Sequence, residues 1–203
     1  MDAARIERTL RRMSYQLLEN ASRNASTPHL ELIGLNERGY YLAGQMQHYL
    51  NSMISAEDSG VITAVRLHQL WVKPEAAQVS APPGFSPDAP FVPSLPEKLY
   101  TLAQHAADRH HFVLIDDVLF SGQSLAKAFS LLFSAASGLG DVSCPRISTA
   151  ILLDRGHRRF PLYPELLGMR YPTKFNEHIE AQLPPAHSIA AVVLQPEFDH
   201  SKS

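Results

Sequence analysis

Short apolar runs alternate with helical patterns along this chain, and that alternation limits the folds open to it. The strand-like runs are LELIGL at Leu30–Leu35, FVLID starting at Phe112, ISTAILLD at Ile147–Asp154 and SIAAVVLQ at Ser188–Gln195. Strands that alternate with helices favour a central parallel sheet, because each right-handed crossover places a helix on a face of the sheet. We therefore predict an α/β fold.

The predicted helices lie where apolar residues recur at helical spacing. They cover Ile6–Leu18, Tyr40–Met53, Leu99–Ala107 and Ser124–Ala136. A further strand is predicted at Val61–Val72, because VITAVRLHQLWV alternates and is rich in β-branched residues. A chain of 203 residues suits one domain that spans residues 1–203.

A proline-rich segment interrupts the alternation between Lys73 and Pro96. It contains seven of the 15 prolines, together with Gly84. Proline cannot donate to a strand ladder or continue a helix, so residues 73–96 are predicted to form a long flexible loop. A loop of that length inside a compact domain is either a functional lid or a disordered excursion.

Composition and charge argue against several classes of protein. With 45% hydrophobic and 19% charged residues, the chain can bury a core. Its net charge of -2 and pI of about 6.5 provide no overall basic field for nucleic acid. The amino terminus lacks the apolar core of a signal peptide, and no apolar run reaches the roughly 18 residues of a membrane span. The single cysteine, Cys144, cannot form an internal disulfide, so we expect a cytoplasmic protein without membrane contact.

The stretch FVLIDDVLFSGQS combines groups that bind ligands at strand ends of parallel sheets. Asp116 and Asp117 follow the apolar run directly. Paired carboxylates can accept hydrogen bonds from vicinal hydroxyls, or can hold a hydrated Mg²⁺ through water. The turn Ser121–Ser124 then opens a helix, and backbone N–H groups at a helix N-terminus bind phosphate. Hydroxyl acceptors beside a phosphate-binding turn predict a site for ribose 5-phosphate.

This stretch resembles the signature that binds 5-phosphoribosyl 1-diphosphate (PRPP) in type I phosphoribosyltransferases. It is closest to D-D-V-L-Y-T-G-R-T in the PyrR family of pyrimidine-operon attenuators and uracil phosphoribosyltransferases, and DDVL matches identically. LIGLNERGYYLA resembles the pyrophosphate loop of that family, L-I-G-I-x-T-R-G-x-x-L-A. The string DRGHR at Asp154–Arg158 matches the family's V-D-R-G-H-R-E-L-P residue for residue.

The resemblance implies the type I phosphoribosyltransferase fold, with the proline-rich loop as a lid and a small C-terminal hood. It implies that Asp116 and Asp117 are catalytic residues that hold the ribose hydroxyls and, through water, Mg²⁺. It also implies that the turn Ser121–Ser124, including Gly122 and Gln123, holds the 5-phosphate of PRPP.

Two other stretches supply the remaining expected site residues. Arg38 can contact a phosphate bidentately and Gly39 permits a tight turn, so these two residues and Glu37 are expected at the pyrophosphate. In the family the DRGHR region lies beside the nucleobase, which implicates Arg155 and the backbone near Leu167. Family members commonly dimerise, so a homodimer is expected.

Four positions depart from the family pattern. Glu37 replaces a threonine, and a carboxylate repels pyrophosphate unless Mg²⁺ or Arg38 intervenes. Gln123 replaces an arginine and so removes a positive charge from the phosphate turn, and Met169 replaces a lysine. The family strand that ends in Y-R-D-D-L corresponds here to RLHQL at residues 66–70, which lacks the acids.

Three functions remain open on these residues. The first is an enzyme that makes UMP and pyrophosphate from uracil and PRPP. Purine-salvage relatives carry an aspartate as base-proton acceptor where this chain has Phe120, which favours a pyrimidine. The second is a nucleotide-binding regulator that binds RNA, which the acidic pI disfavours unless a dimer concentrates the arginines of the first helix on one face. The third is a non-catalytic sensor that binds PRPP or a nucleotide.

Overall fold

The computed structural model describes residues 2–23, 29–56, 62–73, 93–105, 109–136, 146–174, 177–182 and 191–196. These residues form four helices and seven strands. In chain order they are α1 (Ala3–Ser22), β1 (His29–Leu35), α2 (Asn36–Ala56), β2 (Ala64–Leu70), α3 (Glu97–His105), β3 (His110–Leu119), α4 (Gln123–Ala136), β4 (Arg146–Asp154), β5 (Leu166–Arg170), β6 (Glu177–Gln182) and β7 (Ala191–Pro196).

The first five strands form one parallel sheet in the order β2-β1-β3-β4-β5. Within it, Gly34 of β1 lies opposite Gln69 of β2 on one side and Ile115 of β3 on the other. The strand order reverses at β1, so the connections that follow β1 and β3 leave toward opposite faces of the sheet. Such a reversal opens a crevice at the carboxyl ends of the two strands.

Helices cover both faces of the sheet. Leu32 and Val113 belong to the core that contains α1 and α2, whereas Ile33 and Leu114 belong to the core that contains α3 and α4. Because both faces are buried, the strand sequences read as nearly continuous apolar runs. The predicted α/β fold with a central parallel sheet flanked by helices is confirmed.

Two of the differences from the predicted element boundaries affect predicted site residues. β3 extends beyond FVLID because Leu119 continues the ladder opposite Asp154 of β4, so the acid pair lies inside the strand rather than after it. α2 begins at Asn36 rather than Tyr40, so Glu37–Gly39 forms its first turn. The short strand β5 was not predicted.

The C-terminal strands form a separate antiparallel pair. β6, which was not predicted, pairs with β7 over the full length of both strands. β7 overlaps the predicted strand at Ser188–Gln195 but does not extend the main sheet. β6 contacts β3, so the pair lies against the carboxyl end of the sheet, where a hood would lie.

Three predictions about organisation have different outcomes. Most of the proline-rich loop, residues 74–92, lies outside the described residues. The single domain spanning 1–203 stays a prediction. No helix among the described residues has both the length and the apolar character needed to cross a membrane.

Glu31 is a fully buried charged residue in the middle of β1. Its carboxylate accepts hydrogen bonds from Arg66 Nη1 at 2.7 Å and His68 Nε2 at 2.6 Å, and lies 2.8 Å from His110 Nδ1. Burial alone would raise the pKa of Glu31, but hydrogen bonds from His68, Arg66 and His110 outweigh burial and lower the pKa to about 2. The cluster therefore joins β1, β2 and β3 at their amino-terminal half.

We expect Glu31→Gln to lower the free energy of unfolding at pH 7 by about 3 kcal/mol, because Arg66 loses its counter-charge and the buried His68 and His110 lose a carboxylate acceptor. The folded pKa of about 2 is below the ordinary glutamate value of 4.5, so the contribution of ionised Glu31 is complete above about pH 4.5. It is lost as the pH falls toward 2. Urea unfolding of both proteins between pH 7 and pH 2 measures this difference. Exposed Glu7→Gln is the control, and an equal effect in that variant would refute the assignment.

His111 forms a second buried network near the amino-terminal ends of β3 and β4. Its Nε2 atom lies 2.7 Å from Ser148 Oγ, and Ser148 in turn donates to Glu165. Ser148 has one hydroxyl proton, so His111 donates through Nε2–H and its buried Nδ1 carries a lone pair without a partner among the described residues. Burial, followed by the charge of Arg146, lowers the pKa of His111 to about 4.

Because His111 stays neutral in the fold, the unfolded chain binds an extra proton between pH 6.5 and about pH 4. Stability should therefore decrease through this window as the pH falls, by up to roughly 1.4 kcal/mol per pH unit. We expect His111→Gln, which keeps a donor toward Ser148, to flatten this dependence in urea unfolding. The exposed His48→Gln should leave it unchanged. A wild-type slope in His111→Gln would contradict the neutral assignment.

Candidate functional site

A cavity of about 450 Å³ opens at the carboxyl ends of the central strands. Its walls come from the first turn of α2, the segment after β2, the β3–α4 connection, the loop after β4 and the hood strand β6. It brings together eight predicted site residues: Arg38, Asp116, Asp117, Ser121, Gly122, Gln123, Ser124 and Arg155.

The acid pair forms the floor of this cavity. The Asp117 amide donates to Asp116 Oδ1 at 3.1 Å, and Arg38 Nη1 lies 3.8 Å from Asp117 Oδ2. Burial and then the charge of Asp117 raise the pKa of Asp116, whereas the ammonium of Lys73 acts in the opposite direction. Two mutually repelling carboxylates therefore lie together with cations at the cavity edge.

The acid pair fits the oxygen-ligand chemistry of Mg²⁺. This ion usually keeps several waters and binds through one or two carboxylates together with substrate phosphates. A cation bound beside the pair would oppose both causes of the raised pKa of Asp116, burial and the charge of Asp117. Within the described ranges, no group of three or more His, Cys, Asp or Glu side chains forms an alternative metal site.

The phosphate turn reverses the chain between β3 and α4. Gly122 has φ +81°, a left-handed conformation that favours glycine, and α4 begins at the next residue, Gln123. The Ser121 carbonyl accepts from the Arg159 amide at 3.0 Å, and the Gly122 carbonyl accepts the first helical bond from Ala126 at 2.9 Å. The N-terminus of α4 and its positive dipole end therefore face the cavity.

The start of α2 lies unusually close to the sheet. A Cβ atom on Gly39 would lie 2.4 Å from the Ile115 carbonyl oxygen, and one on Gly34 would lie 2.2 Å from Tyr40 Cα. Gly39 therefore does not provide the tight turn that the sequence predicts. The left-handed residue at this turn is Asn36, with φ 53°, and Gly39 is needed for close packing.

Arg155 links the loop after β4 to the hood. It is almost fully buried, with Nε donating to Thr173 Oγ1 at 3.0 Å and Nη2 donating to the Glu177 carbonyl. Its guanidinium lies 4.3 Å from the centroid of the Phe120 ring. Phe120 is 41% exposed, so this cation–π pair leaves part of the ring open to the cavity.

Three predicted site residues are not among the described residues of the cavity wall: Glu37, Gly39 and Leu167. The Leu167 carbonyl accepts from Arg12 Nη2 at 2.8 Å, on the side of the sheet that α1 covers. The roles of Glu37 and Leu167 in binding stay predictions.

Six wall residues are not among the predicted site residues: Lys73, Val118, Leu119, Phe120, Leu125 and Ile179. Lys73 follows a strand that neighbours β1, so its place beside the pyrophosphate loop follows from the strand order, which the sequence alone does not reveal. Nothing in the sequence places Ile179 at the site, because the residues of β6 do not show the pattern of a strand.

Comparison with known proteins agrees with this geometry. A family model described as phosphoribosyl transferase domain matches residues 2–180. The bifunctional protein PyrR of Leuconostoc mesenteroides is 31% identical over 187 residues, covering 89% of this chain and 87% of the relative. The bifunctional protein PyrR of Listeria monocytogenes is 29% identical over 196 residues, covering 96% and 94%.

The fold is shared with a solved hypoxanthine phosphoribosyltransferase from Trypanosoma cruzi, in a ternary complex with substrates. The TM-score is 0.61 at 15% identity, with 97% of this chain and 94% of that chain covered. The resemblance noted in the sequence motifs is confirmed, and this chain belongs to the phosphoribosyltransferase family.

Proposed function

We propose that this protein transfers the 5-phosphoribosyl group of PRPP to uracil, giving UMP and pyrophosphate. The observation that carries the proposal is the joining, in one cavity, of the acid pair, a helix N-terminus and Arg38. Hydroxyl acceptors, a phosphate-binding turn and a cation match the ribose, the 5-phosphate and the pyrophosphate of PRPP in turn.

In this reaction the bond between ribose C1 and a pyrophosphate oxygen breaks, and a bond from uracil N1 to C1 forms. The N1 proton leaves to solvent or to the departing pyrophosphate. The transition state resembles an oxocarbenium ion, as in glycosyl transfer generally. The main contributions of the protein are therefore to orient both reactants and to stabilise the charge that develops on the leaving pyrophosphate.

Individual residues would divide this work. Asp116 and Asp117 orient the ribose hydroxyls and would hold Mg²⁺ through water. When bound, Mg²⁺ neutralises charge on the leaving pyrophosphate. Arg38 would contact the pyrophosphate, and the turn Ser121–Ser124 would hold the 5-phosphate.

The acceptor is assigned from the base end of the cavity. Phe120 stands where purine-salvage relatives carry an aspartate that accepts a base proton, and its partly exposed ring can stack on a planar base. Arg155 is fixed behind that ring by Thr173 and the Glu177 carbonyl. A pyrimidine therefore suits this end better than hypoxanthine or guanine, and uracil is the acceptor of the PyrR family that the motifs resemble.

We expect pyrophosphate release from PRPP with uracil and Mg²⁺, and a loss of roughly 100-fold in Asp117→Asn, which keeps the shape but removes the charge. A coupled pyrophosphate assay measures both rates. Asp2→Asn is the matched control, because asparagine caps a helix as well as aspartate does. Equal rates in Asp117→Asn and the wild type would contradict the assignment of the site.

A base panel tests the acceptor separately. Uracil should be turned over faster than orotate, hypoxanthine or guanine, because no carboxylate stands at position 120 to accept a purine proton. A clear preference for a purine base would show that the acceptor is wrong while leaving the phosphoribosyl transfer intact.

A nucleotide-binding regulator is the alternative, either a non-catalytic sensor of PRPP or nucleotide or an RNA-binding protein. Its support is the exposed face of α1, where Arg5, Arg8 and Arg11 lie on one side of the helix. If this face binds RNA, the affinity should fall steeply with salt, with a log–log slope of about −0.7 per phosphate contact to a single strand. Saturable UMP binding without turnover and without RNA affinity would instead identify a sensor. A homodimer and a cytoplasmic location remain proposals.

A further inference from the structure

Asn36 ties the pyrophosphate loop to the beginning of the proline-rich segment. It is 2% exposed, takes the left-handed backbone conformation and begins α2 directly after β1. Its side-chain Oδ1 accepts from the amides of Val72 at 3.1 Å and Lys73 at 3.3 Å. Gln69 Nε2 donates to its carbonyl at 3.3 Å. Asn36, two residues before Arg38, thus holds the backbone of Val72 and Lys73 after the end of β2.

The chain that leaves β2 is held from α4 as well. Lys127 Nζ donates to the Val72 carbonyl at 3.5 Å, and the Val72 side chain is fully buried. Lys73 is therefore held at its backbone on a fixed base, while its side chain is exposed and lines the cavity with the acid pair and Arg38. An ammonium on a fixed backbone beside Arg38 can supply a second positive charge to an incoming anion.

Resting on the proposed function, we propose that Lys73 binds the pyrophosphate group of PRPP and that Asn36 is the positioning residue that holds it there. The strand order supports the pyrophosphate as the target. Lys73 follows β2 and Arg38 follows β1, its neighbour, whereas the turn for the 5-phosphate follows β3. Lys73 therefore approaches the pyrophosphate loop, which carries Arg38, from the neighbouring strand.

Lys73→Gln tests the binding role. In calorimetry with Mg²⁺, inorganic pyrophosphate should bind roughly 10-fold to 100-fold more weakly to this variant, because a charge-assisted contact is lost. UMP, which carries the 5-phosphate but no pyrophosphate, should bind within about threefold of the wild type, since only one charge near the site changes. In turnover, KM for PRPP should rise more than kcat falls, because the contact exists in the ground state.

Matched variants separate this effect from a general loss of charge. Lys98→Gln removes an exposed lysine from α3 and should change neither ligand. Lys73→Arg should restore most of the pyrophosphate affinity. Unchanged pyrophosphate binding in Lys73→Gln, or a loss confined to UMP, overturns the assignment of Lys73.

The positioning role of Asn36 is tested by removing its side-chain hydrogen-bond acceptor. Asn36→Gly permits the same left-handed backbone but lacks the acceptor, whereas Asn36→Asp keeps an acceptor. We expect Asn36→Gly to weaken pyrophosphate binding severalfold and Asn36→Asp to retain it. If Asn36 acts through Lys73, the double variant Asn36→Gly/Lys73→Gln should bind no more weakly than Lys73→Gln alone. Fully additive losses would overturn the positioning role.

The wild-type protein distinguishes this inference from the proposed function. A wild type that binds neither pyrophosphate, PRPP nor UMP overturns both. A wild type that binds all three, with pyrophosphate affinity unaltered in Lys73→Gln, overturns only the inference.

Discussion

The close approach of α2 to β1 and β3 is the constraint on which the cavity depends. Any side chain at Gly34 or Gly39 would overlap backbone atoms, so the helix can lie this near only because both positions lack a Cβ atom. The approach brings Arg38 in the first turn of α2 to within 3.8 Å of Asp117 at the carboxyl end of β3. The absence of a side chain at these two glycines therefore positions the cation beside the acid pair.

The pKa values of two carboxylates at opposite ends of the sheet are shifted in opposite directions. At the amino-terminal end, three donors compensate Glu31, and its pKa falls to about 2 despite burial. At the carboxyl end, burial and then the charge of Asp117 raise the pKa of Asp116. Burial acts in the same direction on both carboxylates, and Glu31 differs because its hydrogen-bond donors outweigh burial. Charge that is satisfied inside the fold stabilises it, whereas charge left under-compensated in a cavity is available to a ligand.

Local chemistry made much of the site predictable. The acid pair and the SGQS turn are adjacent in sequence, so their proximity follows from one strand and one turn. Arg38 could be placed because parallel strands end at a common edge. The sequence indicates that position 39 requires a glycine, but it does not indicate the reason. A glycine needed for close packing and one needed for a left-handed turn look the same in sequence.

Long-range placement was not predictable in the same way. Nothing local shows that β2 neighbours β1, so the sequence predicts Lys73 only as the first residue of a lid loop and not as a neighbour of Arg38. β6 is not predictable from its own residues, because the six residues EHIEAQ are mostly polar and, among the described strands, pair with β7 alone. Glu31 was not singled out, because its three partners come from two other strands and meet it only in the folded sheet.

Three positions that depart from the family pattern each reduce the positive charge of their motif. Gln123 and Met169 stand where the family motifs carry an arginine and a lysine, and Glu37 places a carboxylate in the first turn of α2. Each change makes its region less favourable for an anion. The cations on the described cavity wall are Arg38, Lys73 and Arg155, and Arg155 already donates to Thr173 and to the Glu177 carbonyl. An anion that enters the cavity would therefore depend more on Arg38 and Lys73 than the family motifs alone suggest.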